Sequence, residues 1–339
     1  MIKFFNPAKR YLKIKDEIDL EIQRVLGSGD LILRSDVEKF EENLANYVGT
    51  KYAIGLNSGT DALYLALRYL GIGHGDEVLV PSYTFVATAQ VVNQLGAIPV
   101  LYDFQGSIPL TINTRAIIPA HLEGKFDIRF EEIWKWGLSI PIIEDACQAL
   151  GATRQGKTAG SFGFAGAFSF YPAKILGAYG DAGSLVTNDE TLYNWAKEAR
   201  NHFKTEGKDW GINSRMDNVQ AAILNVKFKY LSETLLIRSM IAQKYLRELN
   251  DLSIGLPLNT EGRVWQDFVI HVGEKRDELY GYLKEKGIET LKNNYPFPIP
   301  KQPISQRYEN ESLRIPCNET LEDSEIGDII KTIRNFYGK

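Results

Sequence analysis

The chain has 339 residues, 44% of them hydrophobic and 24% charged, and a formal net charge of -4. That length accommodates a large domain plus a smaller one without covalent staples, and the slight negative charge gives no footprint for nucleic acid or an anionic membrane surface. Two cysteines, Cys147 and Cys317, exclude a disulfide framework and a cysteine-rich metal centre, so no metal is expected.

The N-terminal stretch MIKFFNPAKRYLKIKDEIDL carries charges throughout where a signal peptide has an apolar core, and no window approaches 18 uninterrupted apolar residues. A cytoplasmic protein is expected. Residues 36–48 have apolar positions at helical spacing. YAIGL (52–56) reads as a strand, followed by a helix over 57–71 that is opened by Asn57, Ser58 and Thr60 and closed by Gly71. EVLVP (77–81) is a second strand and 84–96 a second helix. PVLYDF (99–104), RAIIPAHL (115–122) and IPIIEDA (140–146) continue as strands, with a helix over 130–137 before the last. A short apolar strand precedes Lys174, and GSLVTND (183–189) is a further strand. Strands alternating with helices imply a mostly parallel α/β sheet. From residue 216 to 250 one long helical pattern leads into shorter signals at 263–272, 276–287 and 324–337. The spacing therefore divides the chain near residue 235, into a large α/β domain (1–235) and a small α+β domain (236–339), with proline-rich NNYPFPIPKQP (293–303) as a fixed loop of the latter.

Three segments carry chemistry. Ser58-Gly59-Thr60 stand at a strand-to-helix turn, where free helix N–H groups, two hydroxyls and a glycine make a phosphate cup. Asp145 ends the apolar run PIIED, and a carboxylate there needs a partner; a protonated ring nitrogen is one that suits it. Gln148, three residues on, can donate to a phenolic oxygen. Lys174 lies among glycines and aromatics in SFYPAKILGAYGDAG (169–183), and a lysine that sheds its proton forms imines with aldehydes. Ser169 adds a hydroxyl nearby. Taken alone, each has an ordinary structural reading: a capped helix, an aspartate capping the next helix, a surface lysine. Together they suit a phosphorylated pyridine aldehyde.

The motifs NSGTDAL (57–63), LGIGHGDEVLVPSYTFVATAQ (70–90), PIIEDACQALGA (141–152), FSFYPAKILGAYGDAGSLVTND (168–189) and GINSRMDNVQAAIL (211–224), in this order, resemble the DegT/DnrJ/EryC1/StrS sugar aminotransferase family. The resemblance implies the type I fold of pyridoxal 5'-phosphate (PLP) enzymes, a three-layer α/β/α mostly parallel sheet with a smaller C-terminal α+β domain. It implies that Lys174 anchors PLP as an imine and acts as general base, and that Asp145 pairs with the pyridinium nitrogen. Gln148 would contact the ring hydroxyl oxygen, Phe85 would stack on the ring, and Thr60, Ser169 and the backbone around Gly59 and Asp61 would hold the phosphate. Asn213, reaching the phosphate, and Arg215, reaching substrate, would come from the other subunit of a homodimer, and Tyr295 is a further substrate-side candidate. The implied reaction takes an amino group from glutamate, releasing 2-oxoglutarate, and delivers it to a nucleotide-linked keto sugar. LGAYGD (176–181) resembles members acting at C3 of the hexose, with C4 as the alternative.

Several positions depart from the family: Asp103 to Asp127 is short, Phe203 stands where glycine is common, and Gln266, Asn294 and Asn318 stand where histidines are frequent. Rival readings are weaker. GIGHGD (71–76) follows a helix where a dinucleotide fingerprint would open one, Lys174 argues against the family's dehydratase branch, whose lysine is replaced by histidine, and the complete set of Lys174, Asp145 and Gln148 argues against a non-catalytic PLP-binding regulator.

Overall fold

Short runs of Val, Ile and Leu, buried on both faces, assemble into one sheet. The computed structural model describes residues 1–135, 140–205 and 207–339. Its strands are β1 (Tyr52–Leu56), β2 (Glu77–Pro81), β3 (Ile98–Tyr102), β4 (Thr114–Ile117) and β5 (Ile143–Asp145). A small hairpin of β6 (Thr153–Arg154) and β7 (Lys157–Thr158) precedes β8 (Ala165–Ser169) and β9 (Gly183–Thr187). Strands β3, β2 and β4 are parallel, as are β5 and β8. Parallel bridges Ile117–Ile142 and Ala120–Asp145 connect the two sets, giving the order β3-β2-β4-β5-β8-β9-β1. Strand β9 pairs antiparallel with both β8 and β1.

Helices α1 (Pro7–Lys13), α2 (Lys15–Ser28) and α3 (Ser35–Val48) precede this sheet. Helices α4 (Gly59–Tyr69), α5 (Val86–Gln94) and α6 (Phe130–Lys135) connect its strands, and α7 (Glu190–Ala199) and α8 (Asn218–Phe228) follow it. Successive strand residues face opposite sides, and the two cores obey that rule. Ala53 and Val186 pack with Phe40 and Leu44 of α3 and Leu224 of α8. Ile54 and Leu185 pack with Leu63 and Leu67 of α4 and Leu192 of α7. The result is the expected three-layer α/β/α arrangement.

Helix α9 (Leu231–Glu248) leads into a second core. There α10 (Arg276–Glu285) and α12 (Asp323–Phe336) pack on an antiparallel sheet of β10 (Phe268–His271), β12 (Ser312–Ile315) and β11 (Leu291–Lys292), and α11 (Pro303–Glu311) lies just before β12. Ile241, Tyr245, Trp265, Phe268, Leu279, Leu313 and Ile329 fill this core. The first residues of the chain join it, since Ile2 bridges Ile288. Among the described residues, no helix is long and apolar enough to cross a membrane.

Several elements differ from the sequence expectations. The pattern over 216–250 is two helices, broken where the N–H groups of Lys229 and Tyr230 bond to carbonyls three residues back and both side chains are drawn to Glu17 of α2. Strand β4 stops at Ile117 instead of continuing to 122, because Pro119 has no N–H for the ladder. The strand expected over 263–272 starts only at Phe268: the Val264 N–H bonds Gly124 O, and the carbonyls of Trp265 and Gln266 accept from Arg238. Helices α1, α2, α7 and α11 were without a sequence signal in this reading, and the end of the helix expected over 130–137 lies outside the described residues.

A buried ion cluster ties the two cores. Glu319 pairs with Arg10 of α1 at 2.9 Å and Arg238 of α9 at 2.8 Å, all three side chains being under a tenth exposed. Burial pushes the Glu319 carboxyl up, but the Arg238 and Arg10 guanidiniums pull it further down, to about 2 from an ordinary 4.5. A depressed carboxyl gives stability that is complete above the unfolded value and lost as pH falls from 4.5 toward 2. Urea unfolding followed by circular dichroism should therefore show a stability drop between pH 5 and pH 3. Glu319→Gln, which strands two buried guanidiniums, should cost about 3–5 kcal/mol at pH 7 and flatten that drop. A variant as stable as the parent would contradict this role.

Candidate active site

The N-terminus of α4 is a tight meeting of backbones. Ser58 is its N-cap, with extended backbone and Oγ accepting the Asp61 N–H at 3.1 Å. The first-turn amides that follow have no acceptor within the helix. A Cβ on Gly59 would stand 2.4 Å from Cys147 Sγ and 3.1 Å from Phe168 O, and one on Gly183 would stand 2.2 Å from the Ser58 carbonyl carbon. Glycine at both positions lets the ends of β8 and β9 close on the helix. Ser169 is the register partner of Gly183, so its hydroxyl belongs to the same edge; Oγ accepts the Tyr171 N–H at 3.3 Å. Thr60 is half-buried in the first turn.

Two adjacent acids end β5, and the fold gives them opposite roles. Glu144 is fully buried and saturated: it takes the N–H groups of Gly160, Phe162 and Gly163 at 2.6–2.8 Å and faces His121 Nε2 at 3.0 Å. The Asp127 N–H donates to His121 Nδ1 at 3.1 Å, so Nε2 carries the hydrogen given to Glu144. Glu144 is thus a structural anchor. Asp145 turns to the other face, where Oδ2 accepts from Thr88 Oγ1 at 2.8 Å and Oδ1 from the Cys147 N–H at 3.3 Å. Thr88 also lies 2.9 Å from Thr84 Oγ1. A hydroxyl has one proton, so Thr84 gives its own to Thr88 while Thr88 gives to Asp145.

Lys174 follows β8 and is half-buried. Burial pushes the Cys147 thiol well above the usual range; Asp145 adds to that shift and Lys174 opposes it. Gln148 Oε1 accepts the Glu123 N–H at 3.0 Å, leaving the amide NH2 as its outward end, which donates toward the Tyr295 hydroxyl. Tyr295 is buried, and its ring meets Phe85 edge-on at 6.2 Å and Tyr83 at 5.6 Å. Phe85 itself is 52% exposed at the start of α5, open for a further ring to stack on it.

The structure thus gathers Ser58, Gly59, Thr60, Asp61, Ser169, Asp145, Gln148 and Lys174 around the strand ends, with Phe85 and Tyr295 alongside. Asn213 and Arg215 stand differently. Asn213 is exposed on a segment bridged to Asn201, and Arg215 donates to Asn201 Oδ1 at 3.0 Å. Their link to the cup is Ser214, which donates to Asp61 Oδ2 at 2.7 Å and accepts the Asn57 N–H at 3.1 Å. Phe203, on the same segment, holds φ +51, where glycine is at ease, and buries its ring against Trp195.

Sequence reasoning passed over Thr88, Cys147, Ser214 and Glu123. Thr88 had a signal, as a hydroxyl one turn into a helix leaving a strand end. Glu123, with φ +59 and Tyr83 and Tyr308 hydroxyls on one oxygen, had none.

The glycine contacts are directly testable. Gly183→Ala should destabilise by about 1–3 kcal/mol through overpacking, while Gly27→Ala, on α2 with nothing within 4 Å of its would-be Cβ, should stabilise by roughly 0.5–1 kcal/mol. Equal effects in urea unfolding would contradict the packing of β9 on α4.

The DegT/DnrJ/EryC1/StrS aminotransferase family model matches residues 12–327. A dTDP-3-amino-3,6-dideoxy-alpha-D-galactopyranose transaminase of Aneurinibacillus thermoaerophilus is 37% identical, covering 100% of both chains. Streptomyces venezuelae DesV, solved in complex with a ketimine intermediate, is 35% identical and superposes with a TM-score of 0.92, covering 100% of this chain and 99% of that one. A Bacillus subtilis protein solved with bound cofactor PMP is 29% identical, with a TM-score of 0.86 over 100% of this chain and 85% of the other. Family model and fold agree over nearly the whole length, and the chain belongs to the DegT/DnrJ/EryC1/StrS aminotransferase family.

Proposed function

We propose that the protein is a PLP-dependent aminotransferase that converts a nucleotide-linked 3-keto hexose to the amino sugar, with glutamate as donor and 2-oxoglutarate as by-product. The observation that carries this is the meeting at the strand ends of Asp145, whose Oδ1 accepts the Cys147 N–H, with Cys147 Sγ packed on Gly59 at the start of α4 and Lys174 in the loop that follows Ser169. The residues fit the cofactor, because the N-terminus of α4 offers backbone amides and the Ser58 and Thr60 hydroxyls to a phosphate, and the Asp145 carboxylate, held by Thr88 and the Cys147 N–H, stands at the neighbouring strand end.

Bound there, PLP supplies a protonated ring that withdraws electrons from the substrate carbon. Asp145 keeps the ring nitrogen protonated, and Thr88 and the Cys147 N–H hold the carboxylate in place. Gln148, its Oε1 tied to Glu123, presents its amide to the ring oxygen. Phe85 covers one ring face. The backbone around Gly59 and Asp61 and the hydroxyls of Thr60 and Ser169 would hold the phosphate. Lys174 Nζ would hold and move the proton at the substrate carbon. In this reading the protein is a homodimer: Asn213 reaches the partner's phosphate site, and Arg215 its substrate, from the exposed segment braced by Ser214. Tyr295, between Gln148 and Phe85, borders the sugar. The division near residue 235 belongs to the same reading, with 1–235 holding the cofactor and 236–339 closing over it.

The 3-keto assignment is supported by LGAYGD after the lysine and by the Aneurinibacillus relative, whose name places its amino group at C3. Incubation with glutamate and a panel of nucleotide-linked 3-keto and 4-keto sugars, read by mass spectrometry, should give amination of a 3-keto substrate. Turnover of 4-keto sugars alone would overturn the C3 assignment, and no amination of either class would overturn the activity. Asp145→Asn should retain PLP while lowering kcat by about 10²-fold or more. Unchanged turnover would remove Asp145 from the reaction.

A further inference from the structure

The residues after β8 up to β9 form neither helix nor strand, so the backbone that carries Lys174 has no ladder to hold it. Its own turn supplies one bond, Lys174 N–H to Tyr171 O at 2.8 Å. The peptides on either side are held by side chains from elsewhere. Gln266 Oε1 accepts the Ile175 N–H at 3.0 Å, and Gln266 Nε2 donates to Ala173 O at 3.1 Å. Arg10 donates to the carbonyls of Lys174 and Ile175. Gln266 is 8% exposed, in the segment just before β10.

This clamp is itself anchored. Arg238 donates to the backbone carbonyl of Gln266 at 3.1 Å and to Glu319 at 2.8 Å, and Glu319 pairs with Arg10. The path from Gln266 through Arg238, Glu319 and Arg10 back to the lysine peptide closes on itself. It joins the second core to the backbone of one residue.

Resting on the function proposed above, we propose that Gln266 is a positioning residue for Lys174, acting through the peptide groups before and after it. A neutral amide suits the place because one end accepts and the other donates. A carboxylate would accept from Ile175 but face Ala173 O without a hydrogen, and a thioether would serve neither. Lys174 reaches the reacting carbon on four rotatable bonds, and a misplacement of its root by about 1 Å is enough to cost roughly 10²-fold in rate.

The test separates the root of the lysine from the cup. Pyridoxamine 5'-phosphate binds the cup without bonding to lysine, whereas PLP must be captured by it. In Gln266→Met, hydrogen exchange of residues 171–178 in the cofactor-free protein should accelerate, and PLP capture, quenched with borohydride and read by mass spectrometry, should slow by about tenfold. The affinity for pyridoxamine 5'-phosphate should stay within about threefold. Gln266→Glu, which keeps the bond to Ile175, should lie between, and it decides the matter if the methionine variant fails to fold. Capture at the parent rate, or parallel loss of both ligands' affinities, would overturn the positioning role. Parent protein that captures no PLP at Lys174 would instead overturn the function on which it rests.

Discussion

The approach of α4 to the ends of β8 and β9 is the contact on which the rest of the site depends. Glycine permits it: a Cβ on Gly183 would collide with the Ser58 and Gly59 backbone, and one on Gly59 with Cys147 Sγ and the Phe168 carbonyl. That approach sets Cys147 Sγ against Gly59, and the Cys147 N–H donates to the strand-end carboxylate of Asp145.

Around this centre the fold sorts polar groups by saturation. Glu144 and Asp145 are neighbours in sequence, yet three amides and an imidazole leave Glu144 nothing to do, while Asp145 receives one hydroxyl and one amide. The difference comes from strand geometry, which turns successive side chains to opposite faces. The same economy appears at Gln148, whose carbonyl end is spent on Glu123, so the donating end is left for the site. Tyr83, Tyr295 and Phe85 then wall the space beyond, with Glu123 fixing the Tyr83 and Tyr308 hydroxyls behind them.

Much of this was legible in the chain. The alternation of short apolar runs with amphipathic segments announced the parallel sheet, and the glycine and hydroxyl residues at 58–60, the acid at 145 and the isolated Lys174 lie at or just beyond its strand ends. What was hidden is what depends on distant pairing. Nothing near Gln266 says that its amide will bracket Lys174, because its partners lie more than ninety residues away in sequence. The ion cluster of Arg10, Glu319 and Arg238 draws on three separate stretches for the same reason. The break at Lys229–Tyr230 was invisible to periodicity, since both halves keep helical spacing and only the hold of α2 through Glu17 redirects the chain. Phe203, a departure in sequence, proves to occupy a left-handed backbone position stabilised by ring burial against Trp195.

The central claim is that Lys174 is the covalent anchor of the cofactor. Purified protein equilibrated with PLP, reduced with borohydride, digested and analysed by mass spectrometry tests it most directly. The account predicts a phosphopyridoxyl group on the peptide containing Lys174 and none in Lys174→Ala. A stable adduct on a different lysine, or its persistence in that variant, would contradict it.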